Sequence, residues 1–165
     1  MKRYFNTTGF CRPDWHYMVD PLRGLQHSIY DLIDKYQYFI IHAPRQSGKT
    51  TLLHSLARQL NAEGKYICVV FSIENAGYRG IAVDDAMFSA IKSIYIMAKQ
   101  MVKEEYLPPD YSMYKKDSSL LFQYLNDWCC SVDKSVVLFL DEIDSLYDEV
   151  LVSVLRQLRN GFQIL

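Results

Sequence analysis

The sequence predicts an α/β fold in three layers, with helices on both faces of a parallel sheet. Three observations carry this reading. Apolar runs of strand length alternate with longer segments of helical periodicity. The runs are apolar almost throughout, as buried parallel strands are. The loops richest in chemistry follow "YFIIHA" and "SVVLFLDE", at the carboxyl ends of strands, where open α/β sheets bind ligands.

The elements follow in order. Residues 1–20 mix Gly, Pro, Asn and Thr with aromatics and read as an irregular N-terminal arm. Residues 21–165 read as a core domain. Pro21 opens a helical segment through Gln37, with Leu22, Leu25, Ile29, Leu32 and Ile33 on one face. "YFIIHA" is the first strand. "GKTTLLHSLARQLNAEG" is a helix with Leu52, Leu53, Leu56, Ala57 and Leu60 inward, and Gly64 suits its end. "YICVVFSIE" is the second strand, rich in β-branched residues. A long helix begins near Asp84, with Met87, Phe88, Ile91, Ile94, Ala98, Met101 and Val102 as its buried stripe, and ends at Pro108 and Pro109. Asp117 or Ser118 caps the next helix, "SLLFQYLNDWCCS". "SVVLFLDE" is the third strand, and "SLYDEVLVSVLRQLRNG" the last helix.

Bulk composition narrows the function. The chain of 165 residues is 50% apolar with a formal net charge of -1, which suits one globular domain and disfavours a strongly basic nucleic-acid binder. No apolar run has the length of a membrane span or a secretory leader. Cys11, Cys68, Cys129 and Cys130 have no metal-ligand spacing and read as reduced thiols of a cytoplasmic protein.

Residues 43–50, "APRQSGKT", follow the phosphate-binding loop pattern G-x-x-x-x-G-K-[ST], except that Ala43 stands first. The residues expected to touch nucleotide are Ala43, Pro44, Arg45, Gln46, Ser47, Gly48, Lys49, Thr50 and Thr51. Gly48 gives the backbone freedom at the phosphates. Successive loop N–H groups and the following helix N-terminus attract anions. Lys49 supplies an ammonium to the β- and γ-phosphates, and Thr50 a hydroxyl to Mg²⁺. Ala43 is compatible if its φ stays negative, because only positive φ excludes a side chain strongly. Downstream, "VVLFLDEID" is an apolar strand ending in acids: Asp141 would hold Mg²⁺ and Glu142 would polarise the attacking water. Asp144 could tune the metal site, but reads more simply as the cap of the last helix.

Other candidates have plainer explanations. Arg156 and Arg159 could act as an arginine finger, but suit a solvated helix face near its C-terminus. His42 reads as a packing residue. His16, His27 and His54 form no ligand pattern, and Tyr17 and Met18 read as arm packing.

"FNTTGFCRPDWHYM", "YFIIHAPRQSGKTTLL" and "LFLDEIDSLYDEVLVSVLRQLRNGF" together resemble the N-terminal part of a bacterial AAA-like ATP-binding family, similar to the AAA+ and STAND branches of P-loop NTPases. In that family the loop commonly begins with alanine. The resemblance implies ATP and Mg²⁺ as cofactors, ATP hydrolysis driving a switch or remodelling, and an arm that helps to cover the nucleotide. It implies a five-stranded core in the order 5-1-4-3-2. Three strands are legible here, so strands 4 and 5 and the sensor residue are expected to be missing, as in a truncated protein. Such a chain should be unstable or pair its first and third strands abnormally. A downstream effector domain or protein partner and an oligomer are left open. The competing functions are a non-hydrolysing nucleotide-binding signalling module and a DExD-type helicase fragment. The latter lacks the expected P-T-R-like element after "YICVVF".

Overall fold

The computed structural model describes residues 2–6, 11–12, 14–23, 28–44 and 46–162. Its helices are α1 Ser28–Asp34, α2 Lys49–Glu63, α3 Val83–Met101, α4 Leu120–Ser131 and α5 Asp148–Phe162. Its strands are β1 Tyr66–Ser72 and β2 Ser135–Asp141. The residues group into two compact units, 1–59 and 60–165.

In the first unit the described residues between 2 and 20 form no helix and no strand beyond a single bridge. Tyr4 and His16 form an isolated parallel bridge. The buried His16 ring meets Tyr4 edge-on at 4.8 Å and accepts the Arg12 N–H on Nδ1 at 2.9 Å. Helix α1 is shorter than the periodicity of residues 21–37 predicts, and positions 24–27 lie outside the described residues. Its C-terminus is closed by bonds from Tyr36 N to Ile33 O and Gln37 N to Leu32 O, with Tyr36 left-handed at φ 55°. That is the Schellman arrangement, in which the chain leaves the helix with its last carbonyls satisfied.

The predicted first strand is not found. Residues 37–44 have no regular secondary structure, Ile40 is 90% exposed and Tyr38 62%. Strand character comes from a hydrogen-bonded ladder and a covered face, and apolar composition supplies neither by itself. The sheet has two strands among the described residues.

The second unit holds that sheet. Strands β1 and β2 run parallel, with Val69 opposite Leu138 and Ser72 opposite Asp141. Parallel neighbours need a crossover, and α3 and α4 supply it. Trp128, Tyr124, Met87, Ile91, Ile94 and Phe71 form the centre of the core. Of the predicted stripe of α3, Met87, Ile91, Ile94 and Ala98 are buried; Phe88 and Met101 are half-buried, and Val102 follows the helix, which stops at Met101, before Pro108. Tight 3₁₀ turns at 104–106 and 111–113 occupy the connection.

Two side chains finish backbone accounts that regular structure leaves open. Asn61 accepts from Cys68 N at 2.7 Å and donates to Cys68 O at 2.8 Å and Met101 O at 3.3 Å, closing one edge of β1. Gln157, buried on α5, accepts from Phe122 N at 3.0 Å in the first turn of α4 and donates to Ser118 O at 2.8 Å. Ser119 holds the N-cap position, so the expected caps act indirectly: Asp117 accepts from Ser119 N at 2.7 Å.

The four cysteines are free thiols. Burial pushes the Cys68 thiol well above its ordinary range, which keeps it protonated and unreactive.

Candidate functional site

One candidate region, in the first unit, is the loop before α2. Two of its residues are left-handed, Gln46 at φ 58° and Gly48 at φ 88°. Alternation of left- and right-handed backbone is the kind of geometry from which anion nests are built. A Cβ on Gly48 would meet nothing within 4 Å, so glycine is required there by conformation and not by space. Gln46 adopts the same region with a side chain, at a cost of about 1–2 kcal/mol. Ala43 is not among the residues with positive φ, so its methyl is tolerated as expected.

Lys49 begins α2, the helix that the sequence places after the loop. Its ammonium donates to Ala43 O at 2.6 Å and Pro44 O at 3.1 Å. The lysine therefore folds back over the loop it follows. Gly48 O accepts Leu52 N at 2.9 Å, continuing the helix into the loop. Thr51 Oγ1 accepts the backbone N–H of Cys11 at 3.1 Å, which ties the arm to the first turn of α2. Arg45 lies outside the described residues. Pro44, Gln46, Ser47 and Thr50 are exposed, as is His42.

A separate candidate region, in the second unit, is the carboxyl end of β2. Asp141 closes the strand, and its Oδ1 accepts Glu142 N at 3.0 Å. Glu142 is left-handed, φ 59° and ψ 35°, which ends the strand abruptly and starts a 3₁₀ turn over Ile143–Ser145. Asp144 is exposed inside that turn and does not cap α5, which begins at Asp148. The left-handed step at Glu142 uses up the residues that the cap reading assigned to the helix.

Ser72 is a residue the sequence reading missed. Its hydroxyl donates to Glu142 Oε2 at 2.8 Å and accepts Glu74 N at 3.2 Å. The two residues are seventy positions apart, and the parallel register that sets Ser72 beside Asp141 brings them together. The only sequence cue is a hydroxyl at the end of the strand that neighbours the acidic one. Arg156 and Arg159 lie on the exposed face of α5, consistent with the plainer reading.

A left-handed, glycine-containing loop at a helix N-terminus, followed by lysine and two hydroxyls, defines the P-loop nucleotide-binding class. The particular family follows from comparison. A family model described as "AAA domain" matches residues 33–165, and the chain belongs to that family of P-loop NTPases. Neither the curated proteins nor the solved structures hold a significant match to the chain. No helix among the described residues is long and apolar enough to cross a membrane.

Proposed function

We propose that the chain is a Mg²⁺-dependent ATP-binding and ATP-hydrolysing domain whose cycle drives a conformational switch or a remodelling step. The observation that carries the reading is the loop itself: Gln46 and Gly48 left-handed ahead of α2, with Lys49 folded over the loop carbonyls. The donor set fits a polyphosphate. Lys49 and the loop N–H groups would hold the β- and γ-phosphates. Thr50 and Asp141, both hard oxygen donors, would hold Mg²⁺, which supplies charge neutralisation at the phosphates. Glu142 would orient and accept a proton from the attacking water. That the loop and the acids serve one nucleotide rests on their order along the chain and on the family. The same reading includes the five-stranded core: β1 and β2 are parallel neighbours, as strands 2 and 3 are in the order 5-1-4-3-2. It also places the protein in the cytoplasm, where ATP is and where thiols stay reduced.

Binding is tested by titrating a fluorescent ATP analogue with Mg²⁺ into the chain and its Lys49→Ala variant. Loss of the charged donor weakens binding at least tenfold, about 1.4 kcal/mol. Equal affinities would contradict the loop assignment.

One observation favours a second reading, a module that holds nucleotide without turning it over. The Ser72 hydroxyl holds one oxygen of the Glu142 carboxylate at 2.8 Å, a contact that would compete with a water for that oxygen. Tight binding with no phosphate release would select this reading. The helicase reading draws no support from the structure, and stimulation of turnover by nucleic acid would revive it.

A further inference from the structure

We infer that Gly77 is a positioning residue for Glu142, acting through Ser145. The inference rests on the proposed role of Glu142 and adds what holds that carboxylate in place.

The turns that follow β1 and β2 are both 3₁₀, at Glu74–Ala76 and Ile143–Ser145. Each is braced to a strand end. Ile73 N donates to Asp141 O at 3.3 Å, and Ser145 N donates to Glu142 O at 2.9 Å. The turns meet at Gly77. A Cβ built there would lie 2.6 Å from Ser145 O and 2.7 Å from Ser145 Oγ, distances no real side chain tolerates. Gly77 has φ -101°, which any residue adopts, so its glycine serves space alone. Ser145 Oγ is buried with no hydrogen-bond partner, so it is held by packing and not by a bond of its own.

The consequence reaches Glu142. A left-handed non-glycine residue persists only where its surroundings fix it. Here the surroundings are the Ser145 N–H on its carbonyl and the Ser72 hydroxyl on its carboxylate. Seating Ser145 against Gly77 fixes the first of these. Filling the seat pushes Ser145 away, loosens the turn and re-aims the carboxylate.

Gly80 supplies the control within the same loop. It is left-handed at φ 81°, yet a Cβ there would meet nothing within 4 Å. Gly80→Ala strains the loop without touching the turn of Glu142. Gly77→Ala fills the seat without forcing an unusual φ, although its Cβ would also lie 3.0 Å from Glu74 O in its own turn.

The test measures kcat, nucleotide affinity and backbone hydrogen exchange over residues 141–147 in the full chain. Gly77→Ala is expected to lower kcat at least tenfold, leave affinity within about twofold, and speed exchange at the Ser145 amide. Gly80→Ala is expected to leave kcat within about twofold and exchange at Ser145 unchanged. Gly77→Ala/Ser145→Gly, which removes one of the two close contacts, should recover part of the lost rate. If Gly77→Ala does not fold, Ser145→Thr crowds the same seat and should show the same split. Wild-type kcat and exchange in Gly77→Ala or Ser145→Thr would overturn the inference, as would equal losses in Gly77→Ala and Gly80→Ala. A wild-type chain that releases no phosphate would sink the hydrolytic function, while the exchange comparison would still decide the role of Gly77.

Discussion

Asn61→Ala should be among the most destabilising single changes in the second unit. Cys68, fully buried in β1, has both its backbone groups bonded to the Asn61 amide. Alanine strands both. Each buried, unpaired backbone group costs about 1–3 kcal/mol, so the pair costs about 2–6 kcal/mol. Better helix propensity at the position in α2 returns about 0.5 kcal/mol. The net loss of about 2–5 kcal/mol is a large share of the 5–15 kcal/mol that folded domains typically have. Urea unfolding followed by circular dichroism reads it as a lower midpoint, by about 1–2 M, with the slope unchanged. Exchange at the Cys68 amide should accelerate in parallel. Asn61→Asp, which keeps the acceptor for Cys68 N, should protect that amide better than alanine does. A loss below about 0.5 kcal/mol with an unaltered Cys68 amide would refute the view that this side chain closes the strand edge.

Three further outcomes are expected. Gln157→Leu keeps volume but strands Phe122 N and Ser118 O, and should cost about 2–3 kcal/mol by the same unfolding measurement, with fraying at the start of α4. Ser72→Ala removes one of the contacts that hold the Glu142 carboxylate and should lower steady-state phosphate release about tenfold or more, since a bond to a charged group is worth about 1.5–3 kcal/mol; an unchanged or higher rate would show that Ser72 does not position Glu142. Tyr114 donates to Asp127 at 2.7 Å, and burial together with that carboxylate pushes its hydroxyl up to about 12. A raised pKa in the folded state means that its contribution is complete below pH 10 and is lost as pH rises toward 12. Tyr114→Phe should flatten that part of the alkaline unfolding profile.

Much of the fold was legible because the informative residues are local. Gly64 marks the end of α2, and the apolar stripe of Met87, Ile91, Ile94 and Ala98 marks the buried face of α3. The loop was legible for the same reason: Gly48 and Lys49 act within a few residues of one another. What composition could not supply was partnership. "YFIIHA" has strand composition, but a strand needs a neighbour. Asp144 has capping chemistry, but the left-handed step at Glu142 displaced the helix start. Ser72, Asn61 and Gln157 act on groups that the chain path brings near only once folded, and nothing in their local sequence names those groups. Nothing in the local sequence of Gly77 names Ser145, whose carbonyl and hydroxyl lie against it only in the fold.

The central claim is that Glu142 performs hydrolysis on a nucleotide held by the loop of Lys49. Single-turnover phosphate release, measured beside ATP affinity in wild type and Glu142→Gln, tests it most directly. The account predicts unchanged affinity and a rate lowered at least a hundredfold, in line with the usual contribution of a positioned base. Phosphate release at the wild-type rate in Glu142→Gln would contradict it.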